Sequence, residues 1–435
     1  MWTIETTLVG HIAINTLAKY YPGTGATGVD ALTAVGNVVQ VILYTCTILL
    51  IFVFGASIII VRLLGAGRKE DANHFLGQTI FTALFPAVGI ALIWYFSAPL
   101  IFKTVLGTSD AVTAIGVDYL RVVSWFAPFI IMNFVAIGLV RGAGDTHLSM
   151  VTGLLVNGIH LVLAVILVFG IWRFPELGVR GAALAAGTAH TVGCIFTFSI
   201  ILRGRSILSF NWNDFRDIKR RSIIHVIQTG TPITLEQLAW MTGMTIVIGF
   251  SNRLAPAAAA GHIIILTYQR IFSMMYQAFG MGALTLVGKR FGAGEFVKAR
   301  QTTRMFAWLV SGVVVVIAGI LYFSARYWVL LFTSDPEVIS VGVYALRIAA
   351  LIQIPKALSY VYSFSLRGIG ENRYPMYLAF FGVIVFQVIL GYNLAFTAGL
   401  SLAGLWLAAG VDEAFKFTMF MKRFSKRVRK LTAHA

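Results

Sequence analysis

Charged residues are scarce in this sequence, which excludes an ordinary soluble globular protein. Asp, Glu, Lys and Arg make up 12% of the 435 residues, whereas 58% are hydrophobic. Soluble domains carry about twice that charged fraction. Apolar runs of about 20 residues, long enough to span a bilayer, recur along the whole length without a polar domain between them. The sequence therefore predicts an all-α polytopic membrane protein.

Cysteine and catalytic motifs are also scarce. The two cysteines, Cys46 and Cys194, lie in apolar segments, which favours buried thiols over a disulfide or a metal site. No acidic metal motif, nucleophile elbow or pair of catalytic carboxylates on a loop is evident, and neither is a removable signal peptide. We therefore predict no enzymatic activity, no metal and no cofactor.

Polar breaks divide the chain into eleven predicted spans. Residues 1–12 resemble the last turns of one more helix, too short to span alone, so either its start is missing or the protein lacks most of it. The predicted spans are residues 30–63, 73–102, 110–140, 148–170, 180–202, 224–250, 257–288, 305–333, 337–366, 374–398 and 402–421.

Basic residues are distributed unevenly between alternate loops. With the short first segment counted as a span, 23 Lys and Arg fall on one side and six on the other. The positive-inside rule then places both termini in the cytoplasm of a multi-pass inner (plasma) membrane protein. Although the net charge is +17, we interpret the basic tail as a topology or lipid-headgroup signal and expect no nucleic-acid partner.

The chain repeats itself. Leu64-Gly-Ala-Gly67 returns as Phe291-Gly-Ala-Gly294, and Arg141-Gly-Ala-Gly-Asp-Thr146 returns as Arg367-Gly-Ile-Gly-Glu-Asn372, at spacings of 226 to 227 residues. Two six-helix bundles of one orientation, the first helix truncated, are therefore expected about a pseudo-two-fold axis along the membrane normal. The predicted domains are an N-terminal lobe (1–202), an amphipathic cytoplasmic linker (203–222), a C-terminal lobe (223–421) and a basic cytoplasmic tail (422–435).

These motifs, with Pro175-Glu-Leu-Gly-Val-Arg-Gly-Ala-Ala-Leu184, Thr285-Leu-Val-Gly288 and Leu402-Ala-Gly-Leu-Trp-Leu-Ala408, resemble the multidrug and toxic compound extrusion (MATE) family. The resemblance covers nearly the whole chain. It implies twelve helices in two bundles and the antiport of mostly cationic, amphipathic compounds against H+ or Na+. We expect a monomer in the bilayer, with small organic cations as its partners.

Glu236 is the leading candidate for ion coupling. An acid inside an apolar span is costly and is retained mainly where it faces a cavity or a partner. Glu236 lies 15 residues beyond Arg221, about 22 Å along a helix, and four residues after Pro232. The resemblance matches it to an acid of the family's seventh helix. The alternative is a protonated glutamate that bonds to a neighbouring helix.

Lys356 is expected at a comparable depth, since it lies 11 residues before Arg367, about 16 Å along the helix. Some Na+-coupled family members carry an Asp there. We predict a Glu236–Lys356 pair that exchanges H+ or a cationic substrate, with a purely structural lysine as the alternative. Because an ammonium group repels Na+, H+ coupling is favoured.

The fifth span carries Asn157 and His160 at positions that the resemblance assigns to an N-lobe proton site. The family's acid is replaced there by Ala164, and His160 is the candidate substitute. One helical turn separates Asn157 from His160, which predicts that they share a face. Glu5 matches a family acid on the first helix, yet it stands near the start of the chain.

Other residues have weaker assignments. Asp412 and Glu413, with Lys416 one turn later, are interpreted as an internally paired set near the bundle surface. A lipid-linked precursor flippase of a related fold and a membrane-embedded transferase stay open as alternative functions. Met and aromatic side chains predict an adaptable cavity wall for organic cations, or plain helix packing, at Trp240, Met241, Met244, Tyr268 and Met275.

Overall fold

A computed structural model describes residues 8–12, 14–171, 174–210 and 219–433. Thirteen α-helices account for most of these residues, and short π-helical segments interrupt or extend three of the long ones. The helices are α1 Ile14–Tyr20, α2 Gly28–Gly65, α3 Lys69–Leu100, α4 Asp110–Ala143, α5 Thr146–Phe169, α6 Gly178–Leu202, α7 Arg220–Asn252, α8 Pro256–Gly292, α9 Phe296–Phe323, α10 Ala325–Leu330, α11 Pro336–Gly368, α12 Arg373–Gly382 and α13 Ser401–Ala433.

Ten helical segments in the described ranges are long and apolar enough to cross a membrane. They coincide with ten of the eleven predicted spans, so the prediction of an all-helical, multi-pass protein is confirmed. The eleventh predicted span, 402–421, is the first part of α13, which continues through the basic residues to Ala433 as one helix. Most of the predicted linker lies outside the described residues, as does most of the short first segment.

The chain forms two compact units. The N-terminal unit comprises Met1–Ser57 and Glu70–Ile227, and the C-terminal unit comprises Ile58–Lys69 and Gln228–Ala435. Two helices, α2 and α7, therefore contribute to both units. The lobe boundaries expected from the sequence stay a prediction.

Each unit is organised around one central helix pair. In the N-terminal unit α6 packs against α4 and α5, whereas in the C-terminal unit α11 packs against α8, α9 and α13. Small residues allow these helices to approach closely, as is usual in membranes. A Cβ atom added to Gly181 would lie 2.4 Å from the carbonyl oxygen of Leu167, so that crossing requires glycine.

The recurring Arg-Gly-x-Gly motif ends a helix and begins the next. Gly144 adopts a left-handed φ of 104° at the end of α4, and Asp145 then accepts a hydrogen bond from the backbone N–H of Leu148 at the start of α5. A glycine stop followed by an acidic N-cap makes a tight connection between neighbouring helices. The motif thereby fixes how α4 and α5 meet.

Candidate functional site

Glu236 lies on α7 and is held by an arginine. Arg367, at the end of α11, donates a hydrogen bond from Nη2 to Glu236 Oε1 at 2.7 Å. Both side chains are largely buried, with 7% of Arg367 and 19% of Glu236 exposed. The second carboxylate oxygen of Glu236, Oε2, is buried and has no hydrogen-bond partner in the described part of the chain. Glu236 is thus a buried acceptor with one oxygen left for a proton or a cation.

Lys356 lies deeper in the same unit, directly after a proline inside α11. Pro355 removes a backbone hydrogen bond from the helix at this point. The side chain is 8% exposed, and its Nζ lies 3.3 Å from Gln269 Oε1 on α8. One turn away, Tyr276 donates a hydrogen bond to Gln353 at 2.6 Å. Lys356 therefore sits in a polar seam between α8 and α11.

The last helix brings three more charged side chains into this interior. Asp412, Glu413 and Lys416 are 0%, 9% and 7% exposed. The predicted internal pairing is confirmed by a 2.7 Å contact between Lys416 Nζ and Asp412 Oδ2. The predicted position near the bundle surface is wrong, because the polar face of α13 points into the C-terminal unit instead of towards its outside.

The packing around Asp412 leaves room for its carboxylate. A Cβ atom on Gly382 would lie 2.1 Å from Asp412 Oδ1, so a larger residue would displace it. The π-helical segment Val383–Leu390 follows, and its Gln387 donates to Asp412 Oδ2 at 2.8 Å. π-Helical turns commonly occur at functional sites.

Electrostatic contacts connect these groups into one network. Lys416 interacts with Glu236, Lys356 interacts with Glu413, and Tyr360 interacts with Glu236, Arg367 and Glu413. Within the described residues the network contains three cations and three carboxylates, so its formal charge is zero when all six are ionised. The members are Glu236, Lys356, Arg367, Asp412, Glu413 and Lys416.

The predicted Glu236–Lys356 pairing is corrected by these contacts. Glu236 bonds to Arg367, and Lys356 bonds to Gln269. Depth along a helix can be estimated from sequence at about 1.5 Å per residue, but the direction in which each side chain points depends on how the helices pack. Arg367 was counted among the basic residues of the cytoplasmic loops, and that assignment concealed its contact with Glu236.

The N-terminal unit holds a smaller polar cluster. Asn133 Nδ2 lies 3.4 Å from His190 Nδ1, and Thr197 donates to Asn133 Oδ1 at 3.5 Å. His160 is 1% exposed and interacts electrostatically with His190. The prediction that Asn157 shares a face with His160 is wrong, since Asn157 is exposed and bonds to the carbonyl oxygen of Gly153. The sequence analysis also missed His190.

The remaining predicted site residues are placed as follows. The five candidate lining residues are all partly buried. Tyr268 donates to the carbonyl oxygen of Trp328 and packs on that ring, while Met275 packs against the core of the C-terminal unit. Partial burial fits both a cavity wall and helix packing, so their role stays a prediction. Glu5 lies outside the described residues.

A comparison with known families decides what kind of protein carries this network. The MatE family model matches residues 23–166 and 232–393. The chain belongs to the MATE family. MATE proteins are transporters, so this chain is a multi-pass membrane transporter of the multidrug efflux type and not an enzyme.

Individual MATE relatives extend the match to nearly the full length. A probable multidrug resistance protein NorM from Thermotoga maritima is 28% identical over 428 residues, which cover 95% of this chain and 86% of that protein. An uncharacterized transporter, YisQ, from Bacillus subtilis is 22% identical over 402 residues, covering 92% and 87%.

Solved structures share the fold of this MATE chain. A MATE structure in the bent conformation superposes with a TM-score of 0.87 at 20% identity, covering 99% of this chain and 92% of that one. A MOP superfamily transporter from Pyrococcus furiosus gives a TM-score of 0.85 at 20% identity, with coverage of 99% and 92%.

Proposed function

We propose that this MATE transporter exports amphipathic, mostly cationic organic compounds in exchange for H+ by alternating access. The observation that carries the proposal is the buried, charge-balanced network of the C-terminal unit, in which Glu236 keeps one unpartnered carboxylate oxygen. Charged side chains inside a membrane are costly, and they mark ion or substrate pathways.

Charge balance supports an exchange mechanism. The network is neutral when empty, so it carries one positive charge when it holds either a proton or a monovalent organic cation. Holding both would add a second charge in a poorly solvated interior, where like charges repel strongly. Binding of one cation therefore favours release of the other, which is the requirement for antiport.

The contact between Arg367 and Glu236 favours H+ over Na+ as the coupling ion. The guanidinium nitrogen lies 2.7 Å from the carboxylate, and it occupies the position that a metal cation would need. Na+ also requires several oxygen ligands, whereas a proton requires one carboxylate oxygen. Lys356 adds a further positive charge to the same unit.

Substrate contacts are proposed along the partly buried aromatic and thioether side chains. Aromatic faces attract organic cations, and methionine adapts to varied shapes. Trp240 and Met241 follow Glu236 by one turn of α7, and Met244 follows by two turns. We further propose that the protein works as a monomer in the inner (plasma) membrane.

The experiment is dye efflux from proteoliposomes driven by a pH gradient in Na+-free medium. We expect wild-type protein to transport ethidium under these conditions. Glu236→Gln should lower gradient-driven transport by about 5- to 150-fold, the usual range for a coupling free energy between two ligands. An absolute requirement for Na+ would defeat the proposal of H+ coupling.

An exposed acid serves as the control. Glu371 pairs with Arg423 and Arg427, whose side chains are 42% and 50% exposed. Glu371→Gln should therefore leave gradient-driven transport unchanged. An equal loss in both variants would contradict a specific role of Glu236.

A further inference from the structure

The last helix of each repeat begins and packs in the same way. Gly178 opens α6 with a φ of 54°, and Ser401 opens α13 with a φ of 50°. Gly181 packs on the backbone of Leu167, and Gly404 packs on the backbone of Leu394. In both comparisons the two helix positions differ by 223 residues, so this spacing gives the structural equivalence of α6 and α13.

The same spacing makes His190 equivalent to Glu413. Their hydrogen-bond partners are equivalent as well, because Asn133 on α4 and Ser359 on α11 differ by 226 residues, the spacing of the repeated Arg-Gly motif. Asn133 lies 3.4 Å from His190, and Ser359 is hydrogen-bonded to Glu413. Each repeat therefore places a titratable side chain at the same internal position, next to a neutral polar partner.

Glu413 has weaker charge compensation than the other two carboxylates of the network. Glu236 and Asp412 each have a cation at 2.7 Å. In the described ranges no ion pair within 4.0 Å involves Glu413 or Lys356, although both are buried. A buried carboxylate without a close counter-ion is costly as an anion and is stabilised by taking up a proton.

His190 is placed for proton uptake by an independent observation. Its Nε2 atom is buried and has no hydrogen-bond partner in the part of the chain that the structure describes. Neutral imidazole leaves one nitrogen as an acceptor, and uptake of a proton there requires a partner such as water or a rearranged neighbour. The equivalent position therefore offers a second proton acceptor.

We propose that Glu413 and His190 are the proton-binding residues of the two repeats, each releasing a proton to water when an organic cation binds. The proposal rests on the exchange function proposed above. The groups facing Glu413 are Lys356 and Tyr360 on α11, Tyr276 on α8, and Asp412 and Lys416 on its own helix. Those facing His190 are His160 on α5 and Asn133 on α4.

The test counts protons released when tetraphenylphosphonium binds to the purified protein, using a pH-sensitive dye in weak buffer. Glu413→Gln and His190→Gln should each lower the number released per bound cation by about one, since linkage counts the protons held by the titrating group. The double variant should lose both. The matched controls are Glu371→Gln and His147→Gln, which change exposed side chains and should release as many protons as wild type.

A spectroscopic measurement keeps the proposal testable if a variant does not fold. The infrared difference spectrum of wild type on cation binding should show loss of the C=O band of a protonated carboxyl group, and its absence would overturn the role of Glu413. If wild type exchanges tetraphenylphosphonium for protons while both folded variants release the wild-type number, this inference fails and the exchange function stands. If wild type releases no protons, both fail.

Discussion

Arg367 illustrates how one residue decides the character of the site. It neutralises Glu236 through a 2.7 Å contact, and its guanidinium also packs over the ring of Phe364 at 4.5 Å. Bidentate geometry and aromatic stacking suit arginine and not lysine. A carboxylate that looked isolated in the sequence is therefore one half of a buried ion pair, with its free oxygen available for exchange.

Removal of Arg367 should be more harmful than removal of the whole pair. Arg367→Met leaves Glu236 buried without its close cation, which costs about 3–5 kcal/mol. Thermal unfolding in detergent should show a large loss of stability in the single variant and partial recovery in Arg367→Met with Glu236→Gln. Equal stability of the single and double variants would argue against the pair.

The helices α2 and α8 show what the glycine motifs do at the scale of elements. Gly65 at the end of α2 lies so close to α8 that an added Cβ would be 2.0 Å from the carbonyl oxygen of Lys289. In return, Gly292 of α8 packs on the backbone of Arg62, whose Nε donates to the carbonyl oxygen of Gly368. These contacts join the ends of three helices within the C-terminal unit.

We expect Gly65→Ala to separate this crossing. The methyl group meets backbone that cannot move independently, so the cost should be about 1–3 kcal/mol. Gly36→Ala on the same helix is the control, because nothing lies within 4 Å of its added Cβ, and alanine favours a helix by about 1 kcal/mol. Thermal unfolding that ranks Gly36→Ala below Gly65→Ala would contradict this packing.

The whole molecule is repeated in architecture but not in charge. The positions equivalent to Asp412 and Lys416 at the 223-residue spacing are Ala189 and Gly193 in α6. The ionic network therefore belongs to the second repeat, whereas the first repeat has neutral or histidine side chains. Since a repeated fold can be kept by small residues at helix crossings, the charges are free to differ between repeats.

The distribution of basic residues predicts the orientation of the whole chain. In a background with Cys46 and Cys194 replaced by Ser, Lys430→Cys should react with a membrane-impermeant maleimide only after cells are opened. Arg253→Cys, in the exposed loop between α7 and α8, should react in intact cells. The reverse pattern would invert the assigned topology.

The sequence was sufficient for the fold class and the family. Long apolar runs separated by polar breaks define membrane helices, since backbone groups in lipid must bond within their own segment. Repeated glycine motifs supported the resemblance to MATE transporters that the family comparison confirmed. Burial of Glu236 near mid-span also followed from its distance to charged loop residues.

The tertiary structure decided which charges meet. Helical spacing gives depth along one helix, but contacts between helices depend on rotation and crossing, which small residues far apart in sequence control. For this reason Glu236 meets Arg367 instead of Lys356, and Asp412, Glu413 and Lys416 lie in the interior instead of at the surface. The sequence alone determined that charged residues lie within the membrane helices, and packing determined their partners.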